Sequence, residues 1–168
     1  MKQAKGAPTS LSDYSVVYVA DFSNKTEPKI RDVGKLEIYQ QMVNAAGIEF
    51  ANMIGTNIEK TKSAPAVLRA APTGSDAKVL RVEGEITLFK RGNAFAKMML
   101  PFAGSTKFNA NVRFVDQATG ALVGEILVDK NSSPLGGGIA ATQTTNSFMK
   151  GAADKIAEQL EIARNPKQ

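Results

Sequence analysis

The segment KVLRVEGEITLF (78–89) alternates. Leu80, Val82, Gly84, Ile86 and Leu88 fall on one side of an extended chain, and Arg81, Glu83, Glu85 and Thr87 on the other. A period of two, with one apolar and one charged side, describes a strand that meets a core on one face and water on the other. The pattern returns over 105–130. There Phe108, Ala110, Val112 and Phe114 oppose Lys107, Asn109, Asn111 and Arg113. DQATG supplies a turn, with Gly120 free to take a positive φ, and Leu122, Gly124, Ile126 and Val128 then oppose Glu125 and Asp129. Val123 and Leu127 interrupt the polar side, so part of that face is expected to be covered. A sheet of such strands has one apolar face, and something else in the chain must shield it.

Two segments change period to provide that shield. Leu36, Tyr39, Val43, Ala46, Phe50, Met53, Ile54 and Ile58 recur at steps of three and four, which predicts an amphipathic helix with Asp32 as its N-cap. KTKSAP (60–65) closes it, with Lys near the helix C-terminus and Pro beyond. Gly47 and Gly55 lie inside this helix at about 1 kcal/mol each relative to Ala, so both are expected to mark close backbone approach. A second helix is predicted near 145–164, its stripe formed by Met149, Ala152, Ala153, Ile156, Leu160 and Ala163. YSVVYVADF (14–22) reads as a strand buried on both faces, and AVLRAA (66–71), between Pro65 and Pro72, as a brief edge strand. Gly84 leaves a notch on the buried face of its strand.

The element order is thus β, α, β, antiparallel strands, α, without internal repeat. The economical packing is an α+β two-layer sandwich: a mixed, mostly antiparallel sheet of about five strands with two long helices on one face. The first β-α-β crossover is right-handed if its strands are parallel. Residues 1–12 read as a flexible leader, 13–164 as a single domain, and 165–168 as a frayed tail. A chain of 168 residues is long enough to bury a proper core.

The residue types absent from the chain narrow its chemistry. There is no His and no Cys, which removes imidazole relays, thiolate nucleophiles, disulfides and sulfur-ligated metals. Carboxylate, Lys and Tyr chemistry remain open. Glu83 and Glu85 stand two apart on one strand face, roughly 7 Å, within the range used by acid/base pairs. Arg81, Lys107 and Arg113 on the same face make cross-strand ion pairs the simpler account. The expectation is a protein that is not an enzyme and holds no cofactor or metal. The net charge is +5, but its positive residues run from Lys2 to Lys167, so nucleic-acid binding is not expected. The start, MKQAKGAPTSLSDY, lacks the apolar stretch of a signal peptide, which implies a cytoplasmic protein if that N-terminus is native.

Two stretches offer binding surfaces. GNAFAKMMLPFAGSTKF (92–108) places Met98, Met99, Leu100, Pro101 and Phe102 in a row between basic residues. It joins two strands. Either Phe95, Met98, Leu100 and Phe102 pack toward a helix with Met99 filling a gap, or the run protrudes, or it is disordered. In the second case Phe95, Lys97, Met98, Met99, Leu100 and Phe102 form a partner or membrane contact. NSSPLGGGIAATQTTN (131–146) puts Gly136, Gly137 and Gly138 before a helix, an alternative anion- or nucleotide-binding site without any phosphate-loop pattern. The hydroxyls of Thr142, Thr144, Thr145 and Ser147 are expected to cap that helix.

VVYVADF, the long helix, VEGEITLFKRGNAFAKMMLPFAGSTKFNANVRFVDQATGALVGEI and the closing AADKIAEQLE together resemble a bacterial envelope family known as domain of unknown function 4410. The likeness covers about 14–162, and members often have more glycine where this chain reads LPFAGS. The resemblance implies a secreted or lipid-anchored protein, often exported behind a lipobox Cys. It transfers no catalytic residue. With no catalytic motif, a flexible leader and an apolar-basic connection, the expectation is a non-enzymatic binding or assembly module of the bacterial envelope, periplasmic or held at the outer membrane, with an envelope protein as partner. More distantly, the element order is similar to sheet-plus-helix domains of outer-membrane assembly lipoproteins.

Overall fold

The alternating segments pair as the pattern requires. In the computed structural model, which describes residues 2–3, 11–74, 76–91, 106–131 and 144–165, they form the middle of one seven-stranded sheet. The elements are β1 (Lys2–Gln3), a 3-10 turn (Leu11–Asp13), β2 (Val16–Val19), β3 (Ser23–Asn24), α1 (Val33–Thr61), β4 (Ala66–Leu68), β5 (Val79–Lys90), β6 (Lys107–Asp116), β7 (Leu122–Asn131) and α2 (Thr145–Arg164). The strand order is β1-β7-β6-β5-β2-β4, with β3 also pairing β5.

The α+β two-layer sandwich holds, but the sheet is evenly mixed rather than mostly antiparallel, and larger than five strands. β1–β7, β5–β6 and β6–β7 are antiparallel, whereas β2–β4, β2–β5 and β3–β5 are parallel. The difference comes from short pieces. The run 14–22 breaks after Val19 and resumes as a two-residue strand, and Lys2–Gln3, within the expected leader, pair with Glu125 and Gly124. Pieces this short carry no period.

Both helices pack on one face. Tyr39, Val43, Phe50, Ile54 and Ile58 of α1 and Phe148, Met149, Ile156 and Leu160 of α2 share one core with Leu80, Val82, Ile86, Phe108, Val112 and Phe114. Asp32 caps α1, accepting from the Lys35 amide at 2.9 Å, and Lys62 ends it in the left-handed region (φ 53°). Thr144 and Ser147 form a reciprocal capping box on α2, while Thr145 instead donates to the Lys90 carbonyl. The two helices run in the same direction. Tyr39 of α1 donates to the carbonyl of Phe89, so both N-termini stand at the Lys90 end of β5.

The interruptions at Val123 and Leu127 have different causes. A register shift between Phe114 and Val115 makes Val123 an extra residue that turns into the core, whereas Leu127 is 68% exposed on the outer face.

The glycines mark the tightest contact. Phe22 leaves β2 and lays its ring in the notch over Gly84, edge-on to Phe50 at 4.9 Å. Its carbonyl faces Gly47, where a Cβ would stand 2.2 Å from that oxygen. Gly55 is different, since a Cβ there would meet Arg69 at an ordinary 3.5 Å. Arg69 braces the same junction, donating to the Val19 carbonyl, to Asn52 (2.8 Å) and to Asp21 (2.5 Å).

At the opposite end of β2, a polar latch holds the start of the domain. Leu11 and Tyr14 are fully buried. Tyr14 donates to Asp116 Oδ2 at 2.9 Å, Lys78 lies 4.8 Å from its ring centre, and Arg164 donates to the carbonyls of Leu11 and Tyr14. Burial, then the bond to Asp116 and the nearby carboxylates, pushes the Tyr14 phenol above its ordinary range. Burial would raise Asp116, but donation from the Thr119 amide, Tyr14, the Thr119 hydroxyl and the Ala118 amide outweighs it, and its carboxyl sits below the usual range.

Two predictions follow from these contacts. Gly47→Ala should cost about 1–3 kcal/mol in chemical denaturation, because helix or loop must move, while Gly55→Ala should be neutral or gain up to ~1 kcal/mol. Equal midpoints for the two variants would remove the close-approach account. The latch gives stability a pH window. Asp116, depressed in the fold, contributes above the unfolded carboxylate value near ~4 and loses its contribution as pH falls below it. Tyr14, raised in the fold, contributes below about pH 10 and loses its contribution as pH climbs above that. Tyr14→Phe should therefore flatten the alkaline limb and weaken the acid limb of a melting-temperature profile. A profile unchanged at both ends would show that the latch carries no linkage.

Candidate functional site

Covering one face of the sheet with helices leaves the other open, and the alternation of β5, β6 and β7 fills it with charge. Glu83 is at the centre. Its Oε2 lies 2.8 Å from Arg81 Nε and its Oε1 lies 3.1 Å from Arg113, which stands directly opposite on β6. The Arg81 Nε–H is poorly aligned on that oxygen, so the contact is chiefly one of charge, while another Arg81 nitrogen donates to Gln117 at 3.1 Å. Glu83 is 24% exposed and the two arginines 28% and 48%, so the cluster is half-shielded by its neighbours. Glu85 lies beside Asn111 across the β5–β6 pair.

This arrangement answers the expectation of a Glu83/Glu85 pair. Both Glu83 oxygens are engaged by arginines, and the cross-strand ion pairing read from the alternation is present. Among the described residues, no three or more Asp or Glu side chains are grouped to hold a metal. A shallow hollow of about 190 Å³, lined by Pro72, Gly74, Ala77, Val79, Gln117 and Ala118, opens where the β4–β5 loop meets the β6–β7 turn.

Apolar residues frame the charged cluster. Leu68, Tyr18 and Arg81 stand in register across β4, β2 and β5, and Val115 and Leu122 continue the row across β6 and β7. Leu68 and Leu122 are 37% and 40% exposed, and Leu127 stands two residues beyond Glu125. Tyr18 and Leu68 escaped the sequence reading because their strands are short and nearly all apolar; only the parallel register shows which face they join.

The contact residues Phe95, Lys97, Met98, Met99, Leu100 and Phe102 and the glycines Gly136, Gly137 and Gly138 lie outside the described residues. The first group is flanked by Arg91, just past β5, and Thr106, just before β6.

Residues 17–136 match the model of a family described as a domain of unknown function, DUF4410. The chain belongs to the DUF4410 family. No curated protein matches the sequence of this DUF4410 chain. Its fold is similar to that of a single-substitution variant of the PelC dodecamer from Paraburkholderia phytofirmans, at 14% identity, with 95% of this chain and 96% of that chain covered and a TM-score of 0.60. It is also similar to protein XCC0632 from Xanthomonas campestris, at 11% identity, 99% and 93% coverage and a TM-score of 0.55. At such identities the likeness is one of fold. Among the described residues no helix is long and apolar enough to cross a membrane.

The open-face cluster should be worth little in isolation. A Glu83→Ala/Arg113→Ala double-mutant cycle is expected to give a coupling of roughly 0.5–1 kcal/mol at moderate salt, falling as salt is raised. A coupling several times larger and insensitive to salt would mean the cluster is a buried core element.

Proposed function

We propose that this DUF4410 protein is a non-enzymatic assembly module of the bacterial cell envelope, tethered through its N-terminus, which associates with further copies of itself through the open face of its sheet. The observation that carries the reading is the composition of that face. Leu68, Leu122 and Leu127 stand exposed around a preformed Arg81–Glu83–Arg113 cluster. Apolar side chains give area to bury, and ordered charges of both signs fix register against a partner surface. The DUF4410 resemblance supports the envelope setting and the tether. Lack of His and Cys supports the non-enzymatic reading. The similar PelC protein is a dodecamer, and a shared fold makes self-association the first form of assembly to test.

Mass by light scattering should rise with concentration up to about 100 µM for the wild-type chain. Leu122→Asp/Leu127→Asp should remain at monomer mass with an unchanged far-ultraviolet spectrum. A wild-type chain that stays monomeric across this range, or a double variant that associates equally well, would falsify self-assembly through this face.

A further inference from the structure

The end of the molecule where both helices begin has a charge pattern that neither the core nor the open face explains. Lys90, the last residue of β5, stands directly opposite Lys107, the first of β6. Like charges facing each other across an antiparallel pair are destabilising. Arg91 follows, exposed. Lys29, Arg31 and Lys35, all exposed, lie on the approach to α1 and in its first turn. The Tyr39–Phe89 and Thr145–Lys90 hydrogen bonds fix both helix N-termini at this end of β5, which adds their positive dipole ends to the same region. Among the described residues none of these six cations is ion-paired. The acidic residues within two positions of these cations along the chain are Glu27, Asp32 and Glu37, and Asp129 stands two residues before Asn131, the partner of Lys107 on β7. Six cations against four carboxylates leave the region net positive, and the Asp32 charge is set against the α1 N-terminus that it caps.

The same end exposes aliphatic side chains. Val33, at the tip of α1, is 71% exposed, and Ile38, about a turn and a half further, is 48% exposed. Exposed aliphatics set among lysines and arginines fit a lipid interface, where headgroup phosphates take the charge and the acyl boundary takes the apolar side chains. A surface for single-stranded nucleic acid would call for exposed aromatic rings for stacking, and a duplex or an acidic protein would leave Val33 and Ile38 unused.

We infer that this end, formed by Lys29, Arg31, Val33, Lys35 and Ile38 of the α1 approach and by Lys90, Arg91 and Lys107 of the sheet, is a docking surface for an anionic phospholipid bilayer. It brings the α1 and α2 N-termini to the membrane. Lys90 and Lys107 lie at the extreme end of the open sheet face, six residues or about 20 Å along β6 from Arg113, so both surfaces can be engaged together.

The test is co-sedimentation of the full chain with phosphatidylcholine vesicles, pure or with about one-third phosphatidylglycerol. The expected result is binding to the anionic vesicles alone, lost at high salt. Lys29→Glu/Arg31→Glu/Lys35→Glu should weaken it tenfold or more, because three surface cations are lost and three anions take their places. That variant keeps the Asp32 cap and places an acid in the first helical turn, where the dipole favours it. Lys90→Gln/Lys107→Gln, which relieves a like-charge contact, should weaken binding about threefold while melting no earlier than wild type. Val33→Ser/Ile38→Ser should also weaken it, leaving the salt dependence intact. Equal binding to neutral vesicles would overturn the inference. So would an equal loss from reversing Lys60, Lys62 and Lys155, which would reveal a net-charge effect. Equally tight binding to polyglutamate, unaffected by Val33→Ser/Ile38→Ser, would assign the surface to an acidic macromolecule instead. Vesicle binding retained by Leu122→Asp/Leu127→Asp separates this surface from the one proposed for self-association.

Discussion

The fold depends on the seat of Phe22. Side chains normally fill the space between a sheet and the helix packed on it. At this junction Phe22 itself fills that space, backbone included. Phe22 sits over Gly84 with its carbonyl against Gly47, and no Cβ is present on either side to hold the layers apart. From there the ring chain Phe22–Phe50–Phe108, with centres 4.9 and 5.0 Å apart, links the loop after β2 to the middle of α1 and then to β6. Edge-on aromatic contacts of this kind add to the apolar burial and fix orientation. Helix α1 is thereby pinned at one point of its length, and its angle across the sheet follows from that point and the Tyr39–Phe89 bond at its N-terminal end.

Everything on the outside follows from which face α1 and α2 occupy. With the helices sharing one side, Arg81, Glu83, Arg113 and Leu127 are committed to the other. With the helices parallel, their N-termini stand together beside Lys90. The core therefore sets the chemistry of two separate surfaces without contributing an atom to either. One is mixed in sign and ordered; the other is cationic with exposed aliphatics. Proteins only 11–14% identical to this chain share its fold.

The polar latch around Tyr14 and Asp116 completes the domain at its other end. Asp116 serves two structures at once: one oxygen organises the β6–β7 turn through Ala118 and Thr119, and the other accepts from Tyr14, 102 residues away in sequence. The long-range bond ties the segment after the Leu11–Asp13 turn to the hairpin, and Arg164 adds the end of α2. Three remote segments are thus closed over the edge of the core by groups whose burial demands a partner.

Periodicity alone determined the larger elements. Alternation over 78–89 and 105–130 required a sheet with one polar face, the stripe from Leu36 to Ile58 required a helix, and Asp32 required its start. It also located the notch at Gly84 and the ion pairing on the open face, because both follow from which neighbours share a side of a strand. Only the tertiary structure decided the rest. The two-residue strands β1 and β3, the parallel pairing of β2 and the inward turn of Val123 depend on register, which short or uniformly apolar segments leave unstated. The Tyr14–Asp116 bond, the brace from Arg69 and the gathering of Lys29, Arg31, Lys35, Lys90 and Lys107 at one end join residues tens of positions apart. A sequence pattern reports each residue's own environment along its element. Which elements meet, and which way they point when they do, is settled by burying all the apolar faces at once.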